Sequence, residues 1–545
     1  MPQLPVTHYF RHLKDDLPAG IVVFLVALPL CLGIALASGA PLFAGLIAGL
    51  VGGLIVSWLS GSQLSVSGPA AGLTVIVFNG IETLGSFQGF LLAVLLSGII
   101  QLIAGYLKAG IIGAFFPSAV IKGMLAAIGL ILIIKQIPHA TGYSEQFGGP
   151  EAYRNVDVHE LFFPILDAFN SISYGVLLTS VVALLILIIW ERPWIKNQRF
   201  LKLIPGALVA IAWGILYNLA AERWFQDLAV GSIHLVNIPV SNSTSEFLDN
   251  FLLPDFSYWT NPQVYVVAAT LAIVGSLETL LSLEAVDKLD PLKRTAPTNR
   301  ELKAQGVGNM ISGFIGGLPI TAVIVRSSAN INAGGKTPLS SFIHGLGLLL
   351  SVMFFANYIN YFPLGCLSAI LLHTGFKLAK PALFKEFYRK GWSQLLPFII
   401  TITAILTTDL LIGMSVGIVF GLFFVIKANY RDAITLIQDD SHYILTFHKD
   451  VSFLNKSLLR KLLAYVKPNS KLVIDASKSH FIDHDIVETI DSFLVSAPSQ
   501  NISVEVCDIY GKEKLIKRDE FVILHDHHDI SPSGKKVLLQ KKTSE

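Results

Sequence analysis

Two stretches place backbone, hydroxyl and cationic groups inside otherwise apolar sequence. Ser65-Val-Ser-Gly-Pro-Ala-Ala-Gly-Leu-Thr74 breaks one apolar run at Gly68-Pro69; Gly316-Gly-Leu-Pro-Ile-Thr-Ala-Val-Ile-Val-Arg-Ser-Ser-Ala-Asn330 breaks another at Gly-Leu-Pro. Small residues then resume a helix-compatible pattern. A helix start exposes unpaired N–H groups and carries roughly half a positive charge. Two such starts facing each other hold an anion without needing a full cationic side chain. The candidate contacts are Ser67, Ala70, Ala71 and Thr74 on the first stretch, and Thr321, Ala322, Val323, Ile324 and Arg326 on the second. Small side chains let a ligand approach the backbone, and hydroxyls can add hydrogen bonds. The structural alternative is a pair of proline-kinked helices with no ligand. Paired interruptions in two hydrophobic halves favour a substrate site at a membrane midplane.

Glu278 is the second anomaly, the sole acidic residue between Asp255 and Glu284. An ionisable group inside an apolar span is costly, and is a functional hypothesis by default. Ser282 follows four residues later on the same helical face. Together they could bind Na⁺ with backbone carbonyls, or Glu278 could carry a proton. The competing reading is a structural ion pair between Glu278 and Arg326. Lys122 also falls in a span, near its end, where snorkelling is the expectation.

These residues need a membrane around them. The 545-residue chain is 53% hydrophobic and only 14% charged, and no Asp, Glu, Lys or Arg stands between Asp16 and Glu82. Soluble domains carry about 25% charged residues, and a span needs roughly 20 apolar residues. Apolar segments read at 17–38, 42–60, 68–79, 88–107, 113–137, 174–190, 203–219, 264–284, 303–316, 322–333, 339–358, 363–380, 393–407 and 410–427. The third and tenth are half length, so their ends must meet inside protein. The first run is too long for a signal peptide. A net charge of +2 gives no reason to expect nucleic acid. Cys31, Cys366 and Cys507 have neither metal-ligand nor disulfide spacing. No zinc, Walker or nucleophile–base pattern marks an enzyme.

Lys and Arg cluster in the N-terminal arm and in the connections after the sixth, eighth and twelfth segments. Such clustering marks the cytoplasmic side. Both termini are therefore expected inside a multi-pass cell (inner or plasma) membrane protein. With seven spans per half, the second half starts on the opposite side, giving a 7+7 inverted repeat. The expected organisation is a cytoplasmic arm at 1–16 and a transmembrane transport domain at 17–430, with repeats at about 17–219 and 264–427. A small α/β domain is expected at 440–510 and a polar tail at 511–545. The tail's His525-Asp-His-His-Asp529 reads as solvated rather than metal-binding, and Asn242-Ser-Thr244 matches a glycosylation acceptor with meaning only in a eukaryotic secretory route.

Ser65-Val-Ser-Gly-Pro69 and Arg326-Ser-Ser-Ala-Asn-Ile-Asn-Ala-Gly-Gly-Lys-Thr-Pro338 resemble the SulP family of inorganic anion transporters, as does Asp16-Leu-Pro-Ala-Gly20. The resemblance covers nearly the whole chain. It implies core and gate subdomains, a substrate site between the third and tenth segments, elevator-type alternating access and a homodimer. By the same resemblance 440–510 looks like a STAS domain, with an unknown cytosolic partner. Leu472-Val-Ile-Asp-Ala-Ser477 and Phe481-Ile-Asp483 fit its central strand and helix start. His484 and Asp485 stand where soluble relatives have a phosphorylatable Ser or Thr.

Other departures keep the substrate open. Leu30 replaces a Gln common in the family's first segment. Glu278 and Ser282 are similar to the Asp and Thr of its sodium–bicarbonate symporters, which lack a cation where Arg326 stands. The expected function is secondary active transport of sulfate or bicarbonate, Na⁺- or H⁺-coupled, without another cofactor. Alternatives are a dicarboxylate or nucleobase permease of similar fold, and a non-transporting anion sensor or scaffold.

Overall fold

The computed structural model describes residues 12–111, 117–143, 172–196, 198, 204–241, 243–408, 410–431 and 433–509. The polar tail at 511–545, most of the N-terminal arm and Asn242 lie outside the described residues. The chain divides into two compact units, Met1–Leu422 and Phe423–Glu545.

The first unit contains two sets of seven segments in matching order. The first set is α1 (Leu13–Ala37), α2 (Leu42–Leu59), strand β1 (Ser67–Pro69) leading to α3 (Thr74–Leu84), α4 (Phe87–Tyr106), α5 (Ser118–Thr141), α6 (Tyr174–Trp190) and α7 (Gly206–Trp224). The second is α8 (Pro262–Leu289), α9 (Thr298–Phe314), strand β2 (Ile320–Ala322) leading to α10 (Ile324–Asn332), α11 (Leu339–Ile359), α12 (Leu364–Leu378), α13 (Trp392–Thr407) and α14 (Leu410–Arg431), whose last nine residues fall in the second unit. Six described helices, α1, α2, α4, α5, α8 and α11, are long and apolar enough to cross a membrane. Large apolar side chains such as Ile103, Leu216, Val266, Phe354 and Val419 remain exposed, as a lipid-facing surface requires.

The packing obeys an exchange of the two sets. α1 packs on α11, and its counterpart α8 packs on α4; α1 also packs on α10, as α8 does on α3. Close backbone approach follows the same rule. Gly53 of α2 and Gly345 of α11 meet backbone to backbone, where a Cβ on Gly345 would lie 2.8 Å from Gly53 C. The counterpart pair is Gly306 of α9 and Gly98 of α4, with a Cβ on Gly306 placed 2.8 Å from Gly98 O. Small residues permit such approach between membrane helices. The exchanged contacts interleave the halves: α1–α4 pack with α8–α11, while α5 and α6 pack with α12, and α5 also with α13.

The broken segments differ from expectation in one respect. The chain does not enter a helix directly after Pro69 or Pro319. Three extended residues end at Pro69 in the first half and three follow Pro319 in the second, so α3 begins at Thr74, after a 3₁₀ turn at Ala71–Leu73, and α10 begins at Ile324. The reason is tertiary: β1 and β2 pair with each other antiparallel, and this satisfies backbone groups that a membrane interior leaves no water to satisfy. α2 accommodates the ribbon with a π turn at Gly52–Val56. Gly52 backs directly onto Ser67, leaving no room for a side chain.

The second unit holds a four-stranded sheet in the order β3 (Ile434–Asp439), β4 (His442–Phe447), β5 (Lys471–Asp475) and β6 (Ser503–Cys507). β3–β4 is antiparallel; β4–β5 and β5–β6 are parallel, which requires crossovers. Two helices, α15 (Lys456–Ala464) and α16 (His484–Ser496), make them. Leu459, Leu463, Ile486 and Ile490 bury against Leu445, Leu472 and Ile474 of the sheet. β3 begins before the expected boundary at 440, in sequence too mixed to read as a strand.

Candidate functional site

The site is built on the ribbon. Ser67 pairs with Ala322, Gly68 with Thr321 and Pro69 with Ile320, and the Val323 N–H extends it by donating to Val66 O at 2.9 Å. α3 and α10 run from this crossing. Neither start is capped by a side chain: Leu73 and Val323 occupy the cap positions. Their N–H groups remain the most electropositive backbone atoms of the region.

Polar side chains from three helices clamp the ribbon. Asn309 of α9 donates to Ile320 O at 3.1 Å and accepts from Ile320 N at 2.6 Å, and its amide also reaches Gln101 Oε1 at 2.7 Å. Gln305 donates to Ser67 Oγ at 2.7 Å and to Glu301 Oε1 at 2.9 Å, while Ser60 donates to Glu301 Oε2. The Ala322 N–H donates to Thr279 Oγ1 at 3.3 Å; the Val66 N–H donates to Ser327 Oγ at 2.9 Å. Asn330 of α10 reaches Leu64 O at 3.1 Å. Sequence reasoning missed this scaffold. Its signal was Gln305 and Asn309, four residues apart on one face of the supposed span at 303–316, with Glu301 one turn before them.

Replacing Asn309 with Leu leaves buried donors and acceptors unpaired at about 1–3 kcal/mol each. Thermal unfolding of the purified Asn309→Leu protein is expected to show a loss of about 2–4 kcal/mol. An unchanged midpoint would remove the clamp's structural role.

The residues expected to touch a ligand divide into two groups. Ala71 and Val323 are half-buried and Ile324 is exposed, all around the helix starts. Ser67, Ala70, Thr74, Thr321 and Ala322 are buried. The expected free hydroxyls are already engaged: Ser67 Oγ accepts from Gln305, Thr74 Oγ1 donates to Ala71 O at 2.8 Å, and Thr321 Oγ1 donates to Ala322 O at 3.3 Å. Backbone at the helix starts therefore offers the better donors.

Arg326 lies fully buried beside the ribbon rather than in the open. Its Nη2 stands 3.4 Å from both Cys31 Sγ and Pro69 O, and Nε and Nη1 have no partner among the described residues. Gly68 makes the space: a Cβ there would collide with the guanidinium. Leu30, next to Cys31, is buried in the packed face of α1.

The structure corrects the ion-pair alternative. Among the described residues no salt bridge joins Glu278 to Arg326, and the Glu278 carboxylate instead presses on Gly72, where a Cβ would fall within 2.6 Å of Oε2. The Gly72 backbone faces this carboxylate, and Oε2 is buried without a hydrogen-bond partner. Ser282 is buried one turn further along α8. The carboxylate and the hydroxyl are oxygen donors, the chemistry suited to a hard cation or to a proton on the unpartnered oxygen. Lys122 also differs from expectation. It is held by Glu386 at 3.0 Å rather than freely snorkelling, because the connection after α12 folds back beside α5.

An interleaved pair of seven-segment sets, each broken at its third member where two short helices start from one crossing, defines a helical membrane transporter fold. The solved structure of SLC26A9 has this fold, with a TM-score of 0.75 at 16% identity, covering 94% of this chain and 86% of that one. The transmembrane domain of a cyanobacterial bicarbonate transporter, BicA, has it too, with a TM-score of 0.62 at 24% identity over 76% of this chain and 98% of that one. The sequence profile of the sulfate permease family matches residues 13–401. The chain belongs to the sulfate permease family, whose members here include sulfate and bicarbonate transporters. A Bacillus subtilis (strain 168) relative, YvdB, whose name carries a provisional sulfate-transporter assignment, is 27% identical over 544 residues, 95% of this chain and 96% of its own.

Proposed function

We propose that the chain is a secondary active transporter of a small inorganic anion, sulfate or bicarbonate, coupled to Na⁺ or H⁺. The observation that carries the reading is the Glu278–Gly72 contact at the start of α3. A resident carboxylate occupies the backbone donor that a substrate anion would use. Binding of a cation or proton at Glu278 neutralises that carboxylate and frees the helix start, so the cation favours anion binding through linked equilibria. Arg326 supplies positive potential from beside the ribbon without touching the ligand. The group α1–α4 with α8–α11 carries the site and moves against α5–α7 with α12–α14, both termini lying in the cytoplasm and two copies forming a dimer. The second unit acts as a STAS-like regulatory domain. Asp483 caps α16 by accepting from Asp485 N at 3.2 Å, and His484 follows it at the place where phosphorylation would act, so regulation there does not run through a phosphoserine or phosphothreonine.

The test is uptake of labelled sulfate and bicarbonate into liposomes under separately imposed Na⁺ and pH gradients. One inorganic anion is expected to accumulate with one gradient. Competition by fumarate or uracil, with no uptake of inorganic anions, would point instead to a permease of similar architecture. Saturable anion binding without flux would point to a sensor.

A further inference from the structure

The connection between α12 and α13 contains a nine-residue helix, Pro381–Arg389, whose two faces differ in chemistry. Its inward face is aromatic: Phe387, fully buried, stacks on Phe398 of α13 with centroids 4.5 Å apart, and Phe384 meets the same ring edge-on at 5.2 Å. The outward face is cationic. Lys380, Lys385, Arg389 and Lys390 are exposed, and Tyr388 and Trp392 beside them are 71% and 72% exposed.

Glu386 is the only acidic residue between Lys377 and Trp392, and it is committed. It accepts from Lys390 at 2.6 Å and from Lys122 at 3.0 Å. The hydrogen bond from Lys390, then that from Lys122, holds its carboxyl below the ordinary value. Among the described residues Lys385 and Arg389 have no acidic partner. Both line a shallow cleft of about 420 Å³ together with Ala382, Glu386 and Lys390.

Cations rimmed by exposed Tyr and Trp have the composition of a membrane–water interface, where amphipathic aromatic rings settle at headgroup depth and basic residues attract anionic lipids. A soluble anion would gain nothing from the aromatic pair. We propose that Lys385, Arg389 and Lys390 bind the phosphate of an anionic phospholipid headgroup, with Tyr388 and Trp392 seated in the interface beside it. Arg389 supplies the planar fork that matches phosphate oxygens. The Lys122–Glu386 contact ties this anchor to α5, so the bound lipid fixes the bundle containing α5, α12 and α13 to its leaflet.

The full-length protein, in mixed micelles containing equal phosphatidylglycerol and phosphatidylcholine, is examined by native mass spectrometry for retained lipid. Wild type is expected to retain phosphatidylglycerol preferentially, less so as salt rises. Each basic residue at an anionic surface contributes about fivefold in affinity, so Lys385→Gln with Arg389→Gln should reduce the preference by roughly 30-fold. The charge-matched control, Lys449→Gln with Lys461→Gln in the second unit, should keep it, and Lys385→Arg with Arg389→Lys should restore most of it. All variants are first checked for a monodisperse elution profile. Equal retention of the two lipids by wild type would overturn the proposal. So would a wild-type preference in the Gln variant, or full displacement of the lipid by glycerophosphoglycerol lacking acyl chains.

Discussion

Arg326→Glu is expected to lower anion uptake by about a thousandfold. Two unit charges about 8 Å apart in an effective dielectric of about 20 interact by roughly 2 kcal/mol. Removing the cation therefore costs about thirtyfold, and reversing it about twice that free energy. Arg326 has no acidic partner among the described residues to absorb its field, so its potential acts on whatever anion reaches the two helix starts. The measurement is the initial rate of labelled sulfate or bicarbonate uptake by equal amounts of monodisperse protein in liposomes. Since a buried Glu can unfold a protein, Arg326→Gln serves as the second variant, with an expected loss of about thirtyfold. It keeps a polar group beside Cys31 and Pro69 O. Undiminished uptake by a folded Arg326→Gln protein would end the electrostatic role.

Glu278→Gln has the other large expected effect, on coupling rather than on the field. The amide is neutral at every pH, binds Na⁺ weakly, and no longer competes as an anion for the Gly72 N–H. Uptake should therefore continue down an anion gradient but lose its response to the driving cation. Accumulation above equilibrium should disappear. Gly72→Ala should disturb the same contact from the opposite side, because the new methyl group falls on both carboxylate oxygens. The decisive measurement compares uptake with and without an imposed Na⁺ or pH gradient in wild type and variant. Gradient-driven accumulation by Glu278→Gln would remove Glu278 from the coupling machinery.

Much of the fold was legible because membrane helices write themselves in local composition. Charge-free runs gave the segments, and the breaks at Gly68-Pro69 and Gly317-Leu-Pro319 gave two short ones. The small domain was readable in part: Leu472-Val-Ile-Asp475 lies in β5 (Lys471–Asp475), and α16 (His484–Ser496) starts directly after Phe481-Ile-Asp483, as the expected helix start requires. β3 was not readable, since Ile434–Asp439 is mostly exposed and its pattern is diluted.

The site was legible only in part. Arg326 and Glu278 announced themselves as charges in apolar surroundings, where each costs free energy and so needs a reason. Composition could not say whether they met. In the fold they do not: the guanidinium turns to Cys31 and Pro69, and the carboxylate to Gly72. Residues 253 positions apart, Gly68 in one half and its partner Thr321 in the other, form one ribbon whose strands are too short to carry a pattern.

The sequence by itself determined the segments, their two interruptions and the presence of buried charge, because the hydrophobic effect acts residue by residue. Tertiary structure alone decided that the interruptions form a paired ribbon, that α9 clamps it, and that the hydroxyls of Ser67, Thr74 and Thr321 are already engaged. Hydrogen bonds between segments are satisfied pairwise across the chain, and no local pattern encodes the partner.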